Sequence, residues 1–441
     1  MRQMKDSGIE WIGEIPEGWK VGKIKYFYDI VLGKMLCPEQ KNVSETYEYY
    51  LCAQNITENG LNLTVLKKMW FSPYEKSIYR IDKGDILVVE GGNAGLCAIY
   101  NNEISPCYIQ NALHKAKSKG EHINKFLFYW MKFVEKSTYI NQIVNKATIS
   151  HYTKDKFGNT PLAFPLPYEQ QRIADYLDAK CAHIDQCLEL TRQSMEKLRA
   201  YKLSCITEAV TKGLDPDVPL KDSGVPWIGQ IPQHCRCVAV NKLFYLILGK
   251  MLSDKPKNHD DSLEEYICAL NVHFYGIDYD SLKKMWFSKN EKFTYKVMNN
   301  DLLVVEGGAG AGGSYIATNI QNKKIYIQNS IIIAREKESI SNTRFLYYTL
   351  FSLVKRNYID FICNKATIPH FTKEKLGRTV LVLFPLPEQE RIAAYLDKKC
   401  ARIDALLEEK QALLDKLAEY KKSLIFECVT GKREVPSCWN R

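Results

Sequence analysis

Few residues of this 441-residue chain are spaced for covalent chemistry. Gly308-Ala-Gly310-Ala-Gly-Gly313 matches the G-x-G-x-x-G pattern that cradles a dinucleotide pyrophosphate, and it follows the strand-like Asp301 to Glu306. That chemistry needs a helix next. Ser314-Tyr-Ile-Ala-Thr318 instead reads as another strand, so a glycine hairpin or bulge is expected. A nucleotide-dependent enzyme built on this loop would be stabilised by nucleotide as the isolated chain. The phosphate-loop pattern G-x-x-x-x-G-K-[ST] does not occur, so ATP use by this chain is not expected. Neither Asn-Pro-Pro-Tyr nor Asp-Pro-Pro-Tyr, the run an amino-methyltransferase carries, is present. Glu408-Glu-Lys410 fits the end of a nuclease pattern but lies within a helical heptad, where it reads as a solvated charge run. Cys235-Arg-Cys237 is the closest cysteine pair, and no C-x-x-C or H-x-x-x-H spacing suggests a metal site. No catalytic residue, metal ligand or cofactor is expected in this chain.

Binding chemistry is easier to find. Lys34 and Lys250 each follow a glycine in a loop, and Lys67-Lys68 recurs as Lys283-Lys284 beside Met-Trp-Phe. Gln110-Asn111 recurs as Gln328-Asn329, and Asn93 sits in the first glycine loop. Lys146, Thr148, His151 and Lys154 recur as Lys365, Thr367, His370 and Lys373, each set running from an Asn-Lys-Ala-Thr block. Lysine beside Ser or Thr suits phosphate oxygens, and Asn or Gln can bond an adenine edge bidentately. These residues form the candidate DNA-binding set. A solvated edge is the plain alternative for the lysine pairs, a structural role is the alternative for the histidines, and Trp70-Phe71 is expected in a core.

The recurrence extends to the whole chain. Lys5-Asp-Ser-Gly8, Leu32-Gly-Lys-Met-Leu36, Lys67-Lys-Met-Trp-Phe-Ser72 and Val88-Val-Glu-Gly-Gly92 all return 216 residues later. Ile109-Gln-Asn111 returns after 218 and Asn145-Lys-Ala-Thr-Ile149 after 219, so small insertions fall between fixed blocks. The chain is a tandem duplication. Within each copy, Tyr47 to Ala53, Asp85 to Val89, Leu96 to Tyr100 and Cys107 to Ile109 read as short strands. Asn124 to Glu135 and Asn342 to Lys355 read as helices, which gives an α+β class with a β-rich core.

Each copy ends in a long helix that follows Phe-Pro-Leu-Pro. From Leu177 to Ala209, and again from Leu396 to Cys428, steps of four and three mark a heptad seam. About 42 helical residues span roughly 60 Å. Two equal seams in one chain are expected to pair, and connectivity then makes the coiled coil antiparallel. The tail would end near the start of the chain, giving a circular, pseudo-twofold molecule. The expected divisions are a globular domain over 1–167, a helix over 168–213, a second domain over 214–387, a second helix over 388–431 and a tail over 432–441.

Composition agrees with a folded binder. Hydrophobic content of 46% and aromatic content of 12% exclude a disordered chain, and a net charge of +10 suits a polyanionic partner. Fourteen cysteines, several on the helix seams, with a polar Met1 to Lys5 and no apolar run after it, read as reduced thiols of a cytoplasmic protein. No run is long and apolar enough to span a membrane.

The duplicated helix start carries a resemblance. Pro165-Leu-Pro167, Glu169-Gln170, Ile173, Leu177-Asp178 and Ile184-Asp185 recur as Pro385-Leu-Pro387, Glu388-Gln389, Ile392, Leu396-Asp397 and Ile403-Asp404. With the opening Asp6-Ser-Gly8, Trp11-Ile-Gly13, Ile15-Pro16 and Gly18-Trp19, this resembles the specificity (S) subunit of type I restriction–modification systems across essentially the whole chain. Copy two departs at Gln233-His-Cys235. The resemblance implies that each globular domain is a target recognition domain for one half of a bipartite double-stranded DNA site. It also implies a coiled-coil spacer that docks two methyltransferase (M) subunits, with restriction (R) subunits joining them. S-adenosylmethionine, ATP and Mg would then belong to those partners. The rival from another class is a non-catalytic coiled-coil scaffold that joins proteins without DNA, and it predicts no salt-dependent DNA binding.

Overall fold

The computed structural model describes residues 2–143, 151–308, 310–320, 323–337, 340–362 and 370–436. They form two compact units, Met1–Thr191 with Gln411–Arg441, and Arg192–Lys410.

In the first unit, an antiparallel sheet runs in the order Cys97–Ile99, Ile86–Val89, Leu113–Ser118, Tyr28–Leu32. Its second strand, Ile-Leu-Val-Val, is buried throughout because the sheet is covered on both faces. Ile86 and Val88 enter the core made with Phe126, Leu127 and Trp130 of the helix Asn124–Lys136. Leu87 and Val89 enter a second core with Leu51, Leu96 and Ile109. A strand buried on both sides loses the polar alternation of a half-exposed one and reads as a continuous apolar run. A three-stranded sheet, Tyr108–Ile109, Thr46–Leu51, Lys67–Phe71, lies beside it, with one parallel and one antiparallel pairing. The strand expected to reach Ala53 stops at Leu51, because Asn55 Oδ1 accepts the Cys52 N–H (3.0 Å) and closes a 3-10 turn over Ala53–Asn55.

The second unit repeats this plan. Its sheet runs Phe244–Leu248, Ile331–Glu336, Leu302–Val305, Ser314–Ile316, and Leu302 and Val304 again take one core while Leu303 and Val305 take the other. Asn342, expected to open the helix, is its N-cap. Its side chain accepts from Phe345 N (3.0 Å), and the helix is Thr343–Lys355. Ser314–Ile316 pairs with Leu302–Val305, so the glycine run between them is a hairpin rather than the entry to a phosphate-binding helix.

The long helices are Pro167–Lys212 and Leu386–Val429. Within the first unit, Cys181, Ile184 and Leu188 of one helix share a core with Leu424, Ile425 and Cys428 of the other. Lys421 Nζ bonds both oxygens of Asp185 at 2.7 Å. Within the second unit, Ile206 and Ala209 share a core with Ile392, Leu396 and Cys400, and Lys202 Nζ bonds both oxygens of Asp404 at 2.7 Å. Positions that rise along one helix meet positions that fall along the other, so each pair is antiparallel. Each unit therefore contains half of each helix, and the compact boundaries fall at Thr191 and Lys410, inside the helices. The chain end returns to the first unit, where Val435 is in the core and Lys432 Nζ lies 3.3 Å from the Ile12 carbonyl.

The repeated helix-start residues have a physical purpose. Gln170 Oε1 accepts from Ile123 N (3.1 Å) while its Nε2 donates to the Pro165 carbonyl (2.9 Å). Asp178 accepts from Tyr129 Oη (2.7 Å) and pairs with Lys125. Gln389 and Asp397 repeat both arrangements with Asn342, Phe384, Tyr348 and Arg344. The motif thus bolts each long helix to the amphipathic helix of its own globular part.

Candidate nucleic-acid interface

Four segments far apart in sequence meet at one end of the sheets in each unit. In the first, Glu90 of the glycine loop donates its N–H to Ala112 O (2.9 Å) and accepts from Tyr152 N (2.6 Å), while Gly91 forms a bridge with His151. Lys34 N bonds Ile109 O (3.0 Å) and Asn111 N bonds Lys34 O (2.8 Å). The second unit repeats the frame through Glu306, Ser330, Phe371, the Gly307–His370 bridge, Lys250, Ile327 and Asn329. Glycine is required at its tightest point: a Cβ on Gly33 would lie 2.4 Å from the Gln110 carbonyl carbon, and one on Gly249 2.3 Å from the Gln328 oxygen.

This frame brings together Asn93, Gln110, Asn111, His151 and Lys154, and in the second unit Gln328, Asn329, His370 and Lys373. Asn93, both histidines, Lys154 and Lys373 are exposed, and the amides are half-buried. Gln328 is engaged locally, accepting from Ser330 Oγ (2.5 Å) and donating to Asn329 Oδ1 (2.5 Å). In the first unit Ala112 stands at the place of Ser330 and offers no hydroxyl. Lys146, Thr148, Lys365 and Thr367 lie outside the described residues.

Lys67, Lys68, Lys283 and Lys284 are exposed. Lys67 stands opposite Tyr50 and the next residue of that strand, Leu51, pairs with Ile109, so Lys67 and Gln110 share one end of the three-stranded sheet. Lys67 Nζ donates to Gln54 Oε1 (3.3 Å), and Lys68 Nζ sits 4.2 Å from the Tyr49 ring centroid. In the second unit Leu270, 74% exposed, stands at the place of Gln54. Phe71 is fully buried, as its core assignment requires, whereas Trp70, on the opposite face of the same strand, is half-buried beside the exposed Tyr47 and lies outside the core that Met69 and Phe71 share.

Lys34 and Lys250 require correction. Both are buried, and each ammonium is committed to an internal carboxylate: Lys34 to Glu75 at 2.5 Å, Lys250 to Glu291 at 2.6 Å. Each also lies over a phenylalanine ring, Phe71 at 5.3 Å and Phe287 at 5.1 Å. An ammonium so held has no face left for a phosphate. The carboxylates close capping boxes as well, since Glu75 accepts from Ser72 N (2.8 Å) and Glu291 from Ser288 N (2.8 Å). Burial acts to raise the Glu75 pKa, but the hydrogen bonds from Lys34 and Ser72 outweigh it and hold the carboxyl below its ordinary value. Reading the lysines alone missed Glu75 and Glu291. The signal was available, for both lie 41 residues after their lysine.

Sequence reasoning also missed the next two residues. Met35 and Leu36 are 77% and 58% exposed, and Met251 and Leu252 are 74% and 63% exposed. In the first unit only, His114 supports the interface from below. It is wholly buried with Nε2 2.9 Å from Tyr152 O, and burial lowers its pKa. Ile332 and Phe371 are the apolar counterparts in the second unit.

Among the described residues no cluster of three His, Cys, Asp or Glu is placed to hold a metal, and no helix is long and apolar enough to cross a membrane. The twelve described cysteines are free thiols.

The family described as type I restriction modification DNA specificity domain matches residues 16–200 and 262–416. The putative type I restriction enzyme MjaX specificity subunit of Methanocaldococcus jannaschii is 24% identical over 398 residues, covering 87% of each chain. The MjaVIII specificity subunit of the same organism is 23% identical over 391 residues, covering 87% of this chain and 86% of that one. Among solved structures, a chain from work on complex assembly and conformational transition of the type I R-M system aligns with a TM-score of 0.71 at 16% identity, covering 95% of this chain and 99% of that one. The HsdS subunit from Thermoanaerobacter tengcongensis aligns with a TM-score of 0.55 at 16% identity, covering 95% and 98%. With more than half of its length matched in two successive segments, one in each copy, this chain belongs to the type I restriction–modification DNA specificity family and is a specificity subunit.

Proposed function

We propose that each unit reads one half of a bipartite double-stranded DNA site, and that the long helices act as the spacer and as the docking element for M and R subunits. On this reading the chain is the non-catalytic part of the complex, and S-adenosylmethionine, ATP and Mg act on its partners. The carrying observation is the repetition, in both units, of one backbone frame that gathers a glycine loop, a Gln-Asn turn and an exposed His-x-Thr-Lys segment. Amides suit base edges, while Lys67, Lys68, Lys283, Lys284, Lys154 and Lys373 suit phosphates.

Because the frames match, the half-sites are related, giving an imperfect interrupted palindrome. Their differences map to residues 54–65 against 270–282 and to residues 93–97 against 309–314, where the two copies differ most in sequence. The test is co-expression with the candidate methyltransferase subunits, followed by sequencing of methylated adenines. One bipartite motif that vanishes without this chain is expected. Its absence would refute the reading in favour of a protein scaffold, and two unrelated half-sites would refute the palindrome.

A further inference from the structure

Large apolar side chains scattered singly on a surface are ordinary. Met35-Leu36 and Met251-Leu252 are different, because the same adjacent pair is held out of the core at the same place in both units. Their backbone is tethered on each side. Before the pair, Gly33 packs on Gln110 and the buried Lys34 holds Glu75. After it, Trp70 N bonds Cys37 O at 3.1 Å, and the second unit has the same bond from Trp286 N to Ser253 O at 3.1 Å. Both ends of the loop are therefore held while its two apolar side chains stand outside the core. A rigid mount that keeps apolar surface in water is unfavourable in the free protein, so its use lies in a bound state.

The surroundings name the occupant. On one side stands the Gln110-Asn111 turn, where Ile109 O and Asn111 N bond Lys34 through the main chain, and on the other the strand Lys67–Phe71, which Trp70 N ties to Cys37 O. An apolar tip between amides and ammonium groups matches DNA, whose phosphates flank base edges bearing thymine methyls and faces that wedge residues can unstack. A protein partner's core would meet those lysines unpaired. We infer that Met35-Leu36 and Met251-Leu252 are specificity-determining contacts that press on apolar base surface, either a thymine 5-methyl group or the face of an unstacked base. The inference rests on the DNA-reading function proposed above and adds to it the residues between the polar contacts.

The test uses the full chain in complex with its methyltransferase subunits and the duplex defined by methylome mapping. Met35→Ala with Leu36→Ala, and Met251→Ala with Leu252→Ala, are each expected to lower affinity for the target about tenfold or more. Affinity for a scrambled duplex should change less than about threefold, and Met35→Leu should restore most of the loss. Two arms on the wild-type complex separate the sources: deoxyuridine for thymine removes the methyl, and 2-aminopurine at each step reports unstacking. One arm must respond, so silence in both overturns the inference even where a variant fails to fold. Equal losses on target and scrambled duplex, unchanged target affinity, or loss of methyltransferase association with DNA affinity intact, would each overturn it too. A wild-type complex that does not distinguish target from scrambled duplex would instead overturn the underlying function.

Discussion

Lys34→Met separates a structural lysine from a phosphate ligand. The substitution keeps the apolar stem and deletes the charge, leaving Glu75 without its ammonium partner. Lys34 is 9% and Glu75 28% exposed at the side chain, so the pair lies between the buried limit of about 3–5 kcal/mol and the surface limit of about 0–1 kcal/mol. Glu75 retains the Ser72 N–H and some water, which favours the lower half of that range, while the lost Phe71 contact adds about 0.5–1 kcal/mol. A loss of about 2 kcal/mol is expected, or roughly 4–8 °C in Tm for a unit of this size. The sign with pH follows from the depressed Glu75 pKa. The stabilisation is complete above the ordinary value of 4.5 and is lost as pH falls through the lower folded value, so mutant and wild type should converge in acid. Scanning calorimetry measures the loss, and fluorescence anisotropy against salt measures the DNA term. A phosphate ligand would lower the log–log salt slope by about 0.9 when removed. An unchanged Tm with a slope reduced by that amount would refute the burial reasoning.

Lys202 and Asp404 are partly exposed, so a Lys202→Ala/Asp404→Ala cycle should give a coupling below about 1 kcal/mol, and Lys202→Leu should match or exceed wild-type stability while loosening helix alignment. A coupling above about 3 kcal/mol in urea melts would contradict this. Gly431→Ala combines a φ of +72° with a Cβ only 2.4 Å from Pro16 Cγ, and should cost about 2 kcal/mol or more, whereas Gly8→Ala, at φ +73° in open space, should cost about 1 kcal/mol. Burial lowers the His114 pKa, so unfolding takes up a proton below the ordinary histidine value of 6.5 and stability falls as pH falls there, by at most about 1.4 kcal/mol per unit. His114→Gln should flatten that slope in melts between pH 5 and 7, and an unchanged slope would count against it.

What was legible in the sequence was what local pattern controls. The heptad steps and the strand after Gly313 follow from periodicity within a few residues, whereas the alternation that buries Met69 and Phe71 and turns Trp70 to the other face was not read. The direction of the Lys34 side chain did not, because a lysine after glycine looks the same whether it meets solvent or Glu75 brought in by a distant turn. The exposure of Met35 and Leu36 was hidden for the converse reason, since apolar residues are assigned inward until a tether shows that they cannot turn. The unit boundaries were hidden too. They depend on which half of each helix shares a core with which sheet, and that is set by antiparallel pairing rather than by composition.

The return of the chain end to the first unit has a consequence for biosynthesis. Leu424, Ile425, Cys428, Val429 and Val435 fill the same core as Trp19, Trp130 and Ile184. On the ribosome, the half that is made first must wait for residues made last, with its apolar seam uncovered while the whole second copy is translated. The second unit, continuous from Arg192 to Lys410, needs no such wait. Order of synthesis and order of completion are therefore reversed. A nascent chain stalled before Gln411 would carry a finished second reader beside an unfinished first one, so premature release leaves the earlier-made half as the aggregation-prone part.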